Sequence, residues 1–288
     1  MSASVPDSVI RALTDDGSFR VLVARTTGLC REAVERQRAV GETAKHFGDL
    51  LTGTVLVRET MAPQLRVQGI VRGDGGECTL VGDSFPDGGT RGLVSKKGGD
   101  GALRLGGDAI MQFMRTMPNG AVHRGVVQVP DRGGIAGALM AYMQESEQIL
   151  TVMGATTLFD ATNTVCSAGG YVVQLLPGAD RGMVEVMTER LAADFSSIER
   201  FVAKTPFDPD ELLEEILYQV PFSRVETRDV TFHCPCSQAT VLGSLATIDR
   251  SDIQSFIDDG QVLDITCDYC GQAYQVAPDQ LQGLLSES

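Results

Sequence analysis

The sequence predicts an α+β fold in three parts. These are an N-terminal domain (residues 1–180) with a mixed or antiparallel sheet and helices, a helical linker region (181–231), and a small C-terminal cysteine domain (232–288). Three observations predict it. Segments of strand period come in runs over the first 180 residues, with few helices between them. The pattern then changes to a helical stripe. Four of the seven cysteines finally fall in two short stretches, FHCPCS (232–237) and DITCDYCG (264–271).

Taken in order, FRVLVART (19–26) places Phe19, Val21 and Val23 on one face, as a strand does. Residues 28–58 carry a helical pattern with a break near Gly41. QLRVQGIVR (64–72) alternates again, with Leu65, Val67 and Val71 on one side, and a glycine turn, GDGG (73–76), leads to ECTLVGD (77–83). RGLVS (91–95) and GAVHRGVVQVP (120–130) read as further strands, and residues 133–150 as a helix. ATTLF (155–159) and GGYVVQLLP (169–177) close the region as strands. Beyond residue 180, Met187, Leu191, Phe195, Ile198 and Val202 follow at spacings of 4, 4, 3 and 4, an amphipathic helical stripe. DPDELLEEILYQV (208–220) opens with Asp208 as N-cap, Pro209 at the first helical position and Glu211 placed for a capping box, and Pro221 ends it. Its apolar residues Leu212, Leu213, Ile216 and Leu217 form a second patch. Two helices without strands are expected here. In the last segment, SDIQSFIDDG (251–260) reads as a short helix with Ser251 at its cap.

The 288 residues are 43% hydrophobic, enough for a sizeable core, and with no Trp that core must be aliphatic and Met-rich. No apolar run reaches membrane-spanning length, so no membrane partner is expected. The N-terminal residues lack a basic segment followed by an apolar one, which points to the cytoplasm and away from structural disulfides. The formal net charge is −14, and residues 232–288 hold eight acidic side chains against Arg250 alone. Such a segment repels phosphate backbones, so nucleic acid is not an expected partner.

The four clustered cysteines, Cys234, Cys236, Cys267 and Cys270, carry the chemistry. Thirty residues lie between Cys236 and Cys267. Two cysteine pairs at such a distance suit one tetrahedral Zn²⁺ site with a closed thiolate shell. Gly271 supplies the backbone freedom the second knuckle needs to turn back. A thioredoxin-like motif would put Cys-x-x-Cys at a helix N-terminus, whereas CDYCGQAYQV continues as a strand. His233 is read as a neighbour, not a ligand. Bound zinc contributes roughly 10–16 kcal/mol in small peptides, against about 5–15 kcal/mol for the stability of a whole domain. A 57-residue segment with little core therefore depends on its metal, and oxidising the thiolates removes the ligands. Cys30, Cys78 and Cys166 are expected as buried free thiols on a helix, a strand and a loop. His46 and His123 have no nucleophile partner at a recognisable spacing, and the glycine clusters GDGG and GGDGALRLGG (98–107) lack the P-loop lysine.

The cysteine signature, YMQESEQ (142–148), AGGYVVQLLP (168–177), GDGG and RGLV (91–94) together resemble the heat shock protein 33 family of redox-regulated holdase chaperones. The chain departs from the family pattern at Gly76, where proline is usual, in the missing proline after SEQ, and in SQAT after Cys236. The resemblance implies an inactive reduced form with Zn²⁺ on Cys234, Cys236, Cys267 and Cys270. It implies oxidation to disulfides Cys234–Cys236 and Cys267–Cys270, zinc loss, unfolding of the C-terminal region and loosening of the linker. Apolar surface, here the two helical patches, would then hold unfolded client proteins without ATP, and the active form would be a homodimer. On this reading the protein is not an enzyme. Two other readings stand beside it: an enzyme with a purely structural zinc knuckle, and a thiol oxidoreductase using Cys267 and Cys270.

Overall fold

Strand-forming segments of the first 233 residues gather into two sheets, and one buried helix lies between them. The computed structural model describes residues 5–97, 101–195, 197–204 and 206–286. The chain divides into two units, one running through His233 and the other from Cys234.

In the first unit, β1 (Ser8–Thr14), β2 (Phe19–Arg25), β8 (Thr151–Phe159), β9 (Val165–Leu175) and β10 (Phe222–Asp229) form one sheet in the order β10-β1-β2-β9-β8. The second sheet has the order β11-β5-β4-β3-β6-β7. Its members are β3 (Arg66–Arg72), β4 (Cys78–Ser84), β5 (Gly89–Lys96), β6 (Ile110–Thr116), β7 (Val122–Gln128) and the two-residue β11 (Thr231–Phe232). The pairings are antiparallel except β11 with β5, so the mixed α+β expectation holds.

After α1 (Thr27–Gln37), the helix α2 (Gly41–Thr60) packs against strands of both sheets. It is buried almost all round, as a helix between two layers must be. Three glycines in register across β3, β4 and β5, Gly69, Gly82 and Gly92, let it approach. A Cβ at Gly82 would stand 2.7 Å from Thr54 Oγ1, and one at Gly92 would stand 2.6 Å from the Phe47 ring. The break near Gly41 is the turn between α1 and α2.

The predicted helix over 133–150 is shorter: α3 (Gly134–Glu145) ends where Tyr142 Oη donates to Glu147 Oε1 at 2.6 Å. Arg115 pairs with the same carboxylate at 3.1 Å, and Gln148 takes a positive φ of 57°. The YMQESEQ motif is thus a helix stop fastened to β6. In GDGG, Gly76 has φ 69°, a value the proline ring forbids. Of the second glycine cluster, residues 98–100 lie outside the described residues.

The linker departs from the sequence pattern. Residues 181–220 are helical, as α4 (Arg181–Asp194), α5 (Glu199–Val202) and α6 (Pro209–Ile216), but residues 222–232 are the strands β10 and β11. β10 escapes a pattern search because its side chains are charged and exposed on both faces, leaving no apolar alternation. Asp208 caps α6 by accepting from the Asp210 N–H at 2.9 Å, but Glu211 pairs with Lys204 instead of completing a capping box. Cys30 and Cys78 are buried; Cys166 is exposed and lies on β9, not in a loop, because it alternates with buried Val165 and Ser167.

Asp49 of α2 is 5% exposed and pairs with Lys45 at 3.0 Å. Burial raises its carboxyl to about 6, with the Lys45 ammonium opposing the shift. A folded-state value above the ordinary 3.8 means the native state binds this proton more tightly. Its stabilising contribution is complete below about pH 4 and is lost as pH rises through about 6. Asp49→Asn is expected to raise stability by about 1–3 kcal/mol at pH 8 and by little at pH 4, as measured by urea unfolding at both values.

Candidate metal centre and the buried linker layer

The second unit is built around a hairpin. β12 (Leu263–Thr266) and β13 (Ala273–Val276) pair antiparallel, and residues 267–272 form the tip. The tip is closed by Cys267 N–H to Gln272 O at 2.9 Å and by Gly271 N–H to Cys267 O at 2.8 Å, with Gly271 at φ 75°. Cys267 and Cys270 therefore project from one knuckle, and the next helix, α9 (Pro278–Ser286), begins well past it. That is not the helix-N-terminal placement of a thioredoxin-like pair. Cys234 and Cys236 lie just before α7 (Gln238–Leu245), whose cap Ser237 accepts from the Thr240 N–H. The expected helix over 251–260 is α8 (Arg250–Asp258), with Asp249 and not Ser251 in the N-cap position and no side-chain cap bond from it. α7 and α9 were not anticipated.

The four sulfurs converge, all lying within 4.8 Å of one another. Cys234 Sγ is 3.8 Å from Cys267 Sγ, and Cys236 Sγ is 3.4 Å from Cys270 Sγ. Zn–S bonds of about 2.3 Å place the corners of a tetrahedron roughly 3.8 Å apart, whereas a disulfide needs about 2.05 Å. The cluster thus fits a metal ion in a four-thiolate shell. His233 is outside it; its backbone N–H donates to Thr90 O in the first unit at 2.9 Å.

Burial pushes the Cys270 thiol up to about 12, and its hydrogen bonds with Cys236, Cys267 and Cys234 push the same way, against the Gln272 backbone N–H. Without a cation, that environment favours the neutral Cys270 thiol. A bound divalent ion reverses this and holds its sulfur ligands as thiolates. Tyr274 Oη donates to Cys236 Sγ at 3.0 Å, a contact just outside the sulfur cluster that sequence reading missed. Tyr274 shows only a strand alternation in sequence, so nothing flags it. Among the described residues the unit's own apolar core has three fully buried side chains, Ile253, Val276 and Leu281, with nine half-buried ones packed around them.

The other predicted residues sit in the first unit. Met187, Leu191, Phe195, Ile198, Val202, Leu212, Leu213, Ile216 and Leu217 are all buried and belong to one cluster, not two patches. The cluster's other half is a sheet face of which the sequence showed Phe19, Val21 and Val23; Ile10, Ala12, Tyr171 and Val173 complete it. Phe207, in the loop between α5 and α6, seats against Gly169, where any Cβ would collide with its ring. Gly170 leaves similar room on the opposite face, for Leu56 and Thr52 of α2. The two glycines of AGGYVVQLLP thus serve opposite faces of β9.

Fold and site define a two-part protein, an α+β body followed by a four-cysteine module. The family model described as Hsp33 protein matches residues 7–277, and the chain belongs to that family. It is 29% identical to the 33 kDa chaperonin of Symbiobacterium thermophilum, over 96% of each chain. It is 25% identical to the 33 kDa chaperonin of Bacillus subtilis, over 98% of this chain and 99% of the relative. The crystal structure of the 33 kDa chaperonin of Thermotoga maritima shares the fold with a TM-score of 0.82 at 22% identity, covering 98% of each chain. No helix among the described residues is long and apolar enough to cross a membrane.

Reduced, metal-free protein is expected to bind one equivalent of Co²⁺ with intense thiolate-to-metal absorption. Cys267→Ser should weaken binding by at least about tenfold, and unchanged binding in that titration would remove Cys267 from the ligand set.

Proposed function

We propose that the chain is a redox-regulated, ATP-independent holdase that binds unfolding proteins under oxidative stress. The observation that carries this reading is the pairing of a four-cysteine cluster with a unit whose small apolar core has three fully buried side chains among the described residues. Zn²⁺, when bound, would tie both knuckles together through Cys234, Cys236, Cys267 and Cys270. Residues 181–220 act as the metastable linker, whose buried stripe is the reserve of client-binding surface.

Oxidation acts on the cysteines. Cys234 with Cys236, and Cys267 with Cys270, would each form an S–S bond as two thiolates give up two electrons. One hydrogen peroxide per bond takes these electrons with two protons from water and becomes two waters. With their lone pairs committed to S–S bonds, the four sulfurs would no longer hold a metal, and the C-terminal unit would unfold for want of a larger core. The linker then loosens. Its undocking would uncover two apolar surfaces at once: the helical residues Met187, Leu191, Phe195, Ile198, Val202, Leu212, Leu213, Ile216 and Leu217, and the face of the five-stranded sheet beneath them. A surface this large and irregular suits clients of many sequences. The active form is proposed to be a homodimer working in the cytoplasm, as the resemblance implies.

The test is to treat zinc-loaded protein with peroxide at mild heat while following zinc release, helix content and aggregation of a chemically unfolded client. All three are expected to change together. Retained zinc with no client protection would favour a structural knuckle, and turnover of dithiol substrates would favour an oxidoreductase. Ile216→Ala should remove about 2–5 kcal/mol of linker packing. Client protection would then appear at lower oxidant or temperature, and an unshifted activation curve would exclude the linker from the switch. Tyr274→Phe, which removes the donor to Cys236, should speed peroxide-triggered zinc release several-fold in a chelator-dye assay.

A further inference from the structure

The strand β10 is joined to the body in an unusual way. Of its eight residues, only Phe222 and Arg228 are even partly covered. It therefore stays in place through main-chain pairing with β1 and through ion pairs. Glu226 meets Arg11 at 3.2 Å, Arg228 meets Glu59 at 3.6 Å, and Arg224 meets Asp210 at 2.7 Å. Of these, the Arg224 pair is exposed and contributes about 0–1 kcal/mol, and Arg228 alone reaches a buried carboxylate, donating also to Pro86 O at 2.9 Å. The register slips between Arg11 and Ala12, which leaves Val225 as a bulge, 54% exposed. Its partner is the opposite: β1 is buried along nearly its whole length, tied to β2 on its other side.

A firmly held strand thus has a loosely held cover. The cover leads through β11 directly into the cysteine unit, in sequence five residues from Asp229 to Cys234. We infer that β10 is an intramolecular stand-in for client, and that the β1 edge, once vacated, accepts an extended segment of an unfolded protein as a new edge strand. This rests on the holdase reading above. The chemistry of the edge fits that occupant. Strand addition is driven by backbone hydrogen bonds, and unfolded chains of any sequence offer those. The side chains of an added strand would point outward as those of β10 do, so sequence would be weakly restricted. The Arg11 guanidinium, held by Glu59 O at 2.7 Å, favours an acidic residue opposite it, where Glu226 now sits. A regular client strand would also pair without the bulge that β10 carries.

Residue-resolved hydrogen exchange of β1 amides in the full chain tests the inference in three states: reduced with zinc, peroxide-activated, and activated with a guanidine-unfolded, cysteine-free test protein. The β1 amides bonded to β10 should exchange at least about tenfold faster on activation and regain protection when the test protein is added. A labelled peptide with the sequence of residues 221–230 should bind the activated chain, not the reduced one, and its Glu226→Lys version about tenfold more weakly. Two results would overturn the inference: β1 amides that stay protected while client is held, or protection that returns with protein concentration alone, which would give the edge to a second copy. Loss of client holding together with intact peptide binding would instead count against the holdase reading and leave the edge site standing.

Discussion

The five-stranded sheet has to be covered on both faces, and the rest of the structure follows from that requirement. Along β2, Leu22 and Ala24 face the core shared with α2, while Phe19, Val21 and Val23 face α4–α6. A strand apolar on both sides cannot face water on either without a cost of about 25 cal/mol per Å². One cover, α2, is locked between two sheets and threaded past a row of glycines. The other is a set of short helices that touch only one sheet face. The two covers contribute the same kind of interaction but differ in how much of the fold must open to lose them.

The C-terminal unit has the inverse problem. Ile253, Val276 and Leu281, with nine half-buried apolar side chains around them, make a small core against the ordering of some fifty residues. Four sulfurs crowded within 4.8 Å do not help as neutral thiols, and as bare thiolates they would repel one another. Only a cation makes the arrangement favourable. On the proposed reading, stability in this unit would follow the oxidation state of four side chains, whereas stability in the body depends on packing. Cys30 and Cys78, the thiols within that packing, are buried, and burial pushes Cys30 up to about 12, far from the reactive thiolate form.

The sequence exposes these features unevenly, for physical reasons. Thiolate coordination demands particular residues at short spacings, so the four ligand candidates stand out without any fold. The linker stripe is legible because a helix covering one face must repeat its apolar residues every three or four positions. The opposite side of that contact is legible in part: Phe19, Val21 and Val23 alternate in the window 19–26, whereas β1 carries too short a pattern to separate from a loop. β10 is invisible because its side chains are charged and exposed while its backbone makes the contacts. α7 has no buried residue at all, so no stripe marks it. Tyr274 and Phe207 act through one contact each, to a sulfur and to a glycine, and a single contact has no period.

The placement of β10 and β11 bears on how loss of one unit is felt by the other. Residues 222–233 cross from the edge of one sheet to the edge of the other, with Val230 as the buried apolar anchor and Arg36 resting on the Phe232 ring. On the proposed switch, unfolding of the cysteine unit would give the chain beyond His233 conformational freedom, and the attachment next to it is a strand held by backbone pairing and a few ion pairs. Immediately before it, at Val220 and Leu217, begins the helical cover of the sheet. Opening in chain order, from β10 to α6 and then to α5 and α4, would break weak contacts before strong ones. The body bounded by α2 lies at the far end of that order, so on this reading it would remain folded while the surface it supports is laid bare.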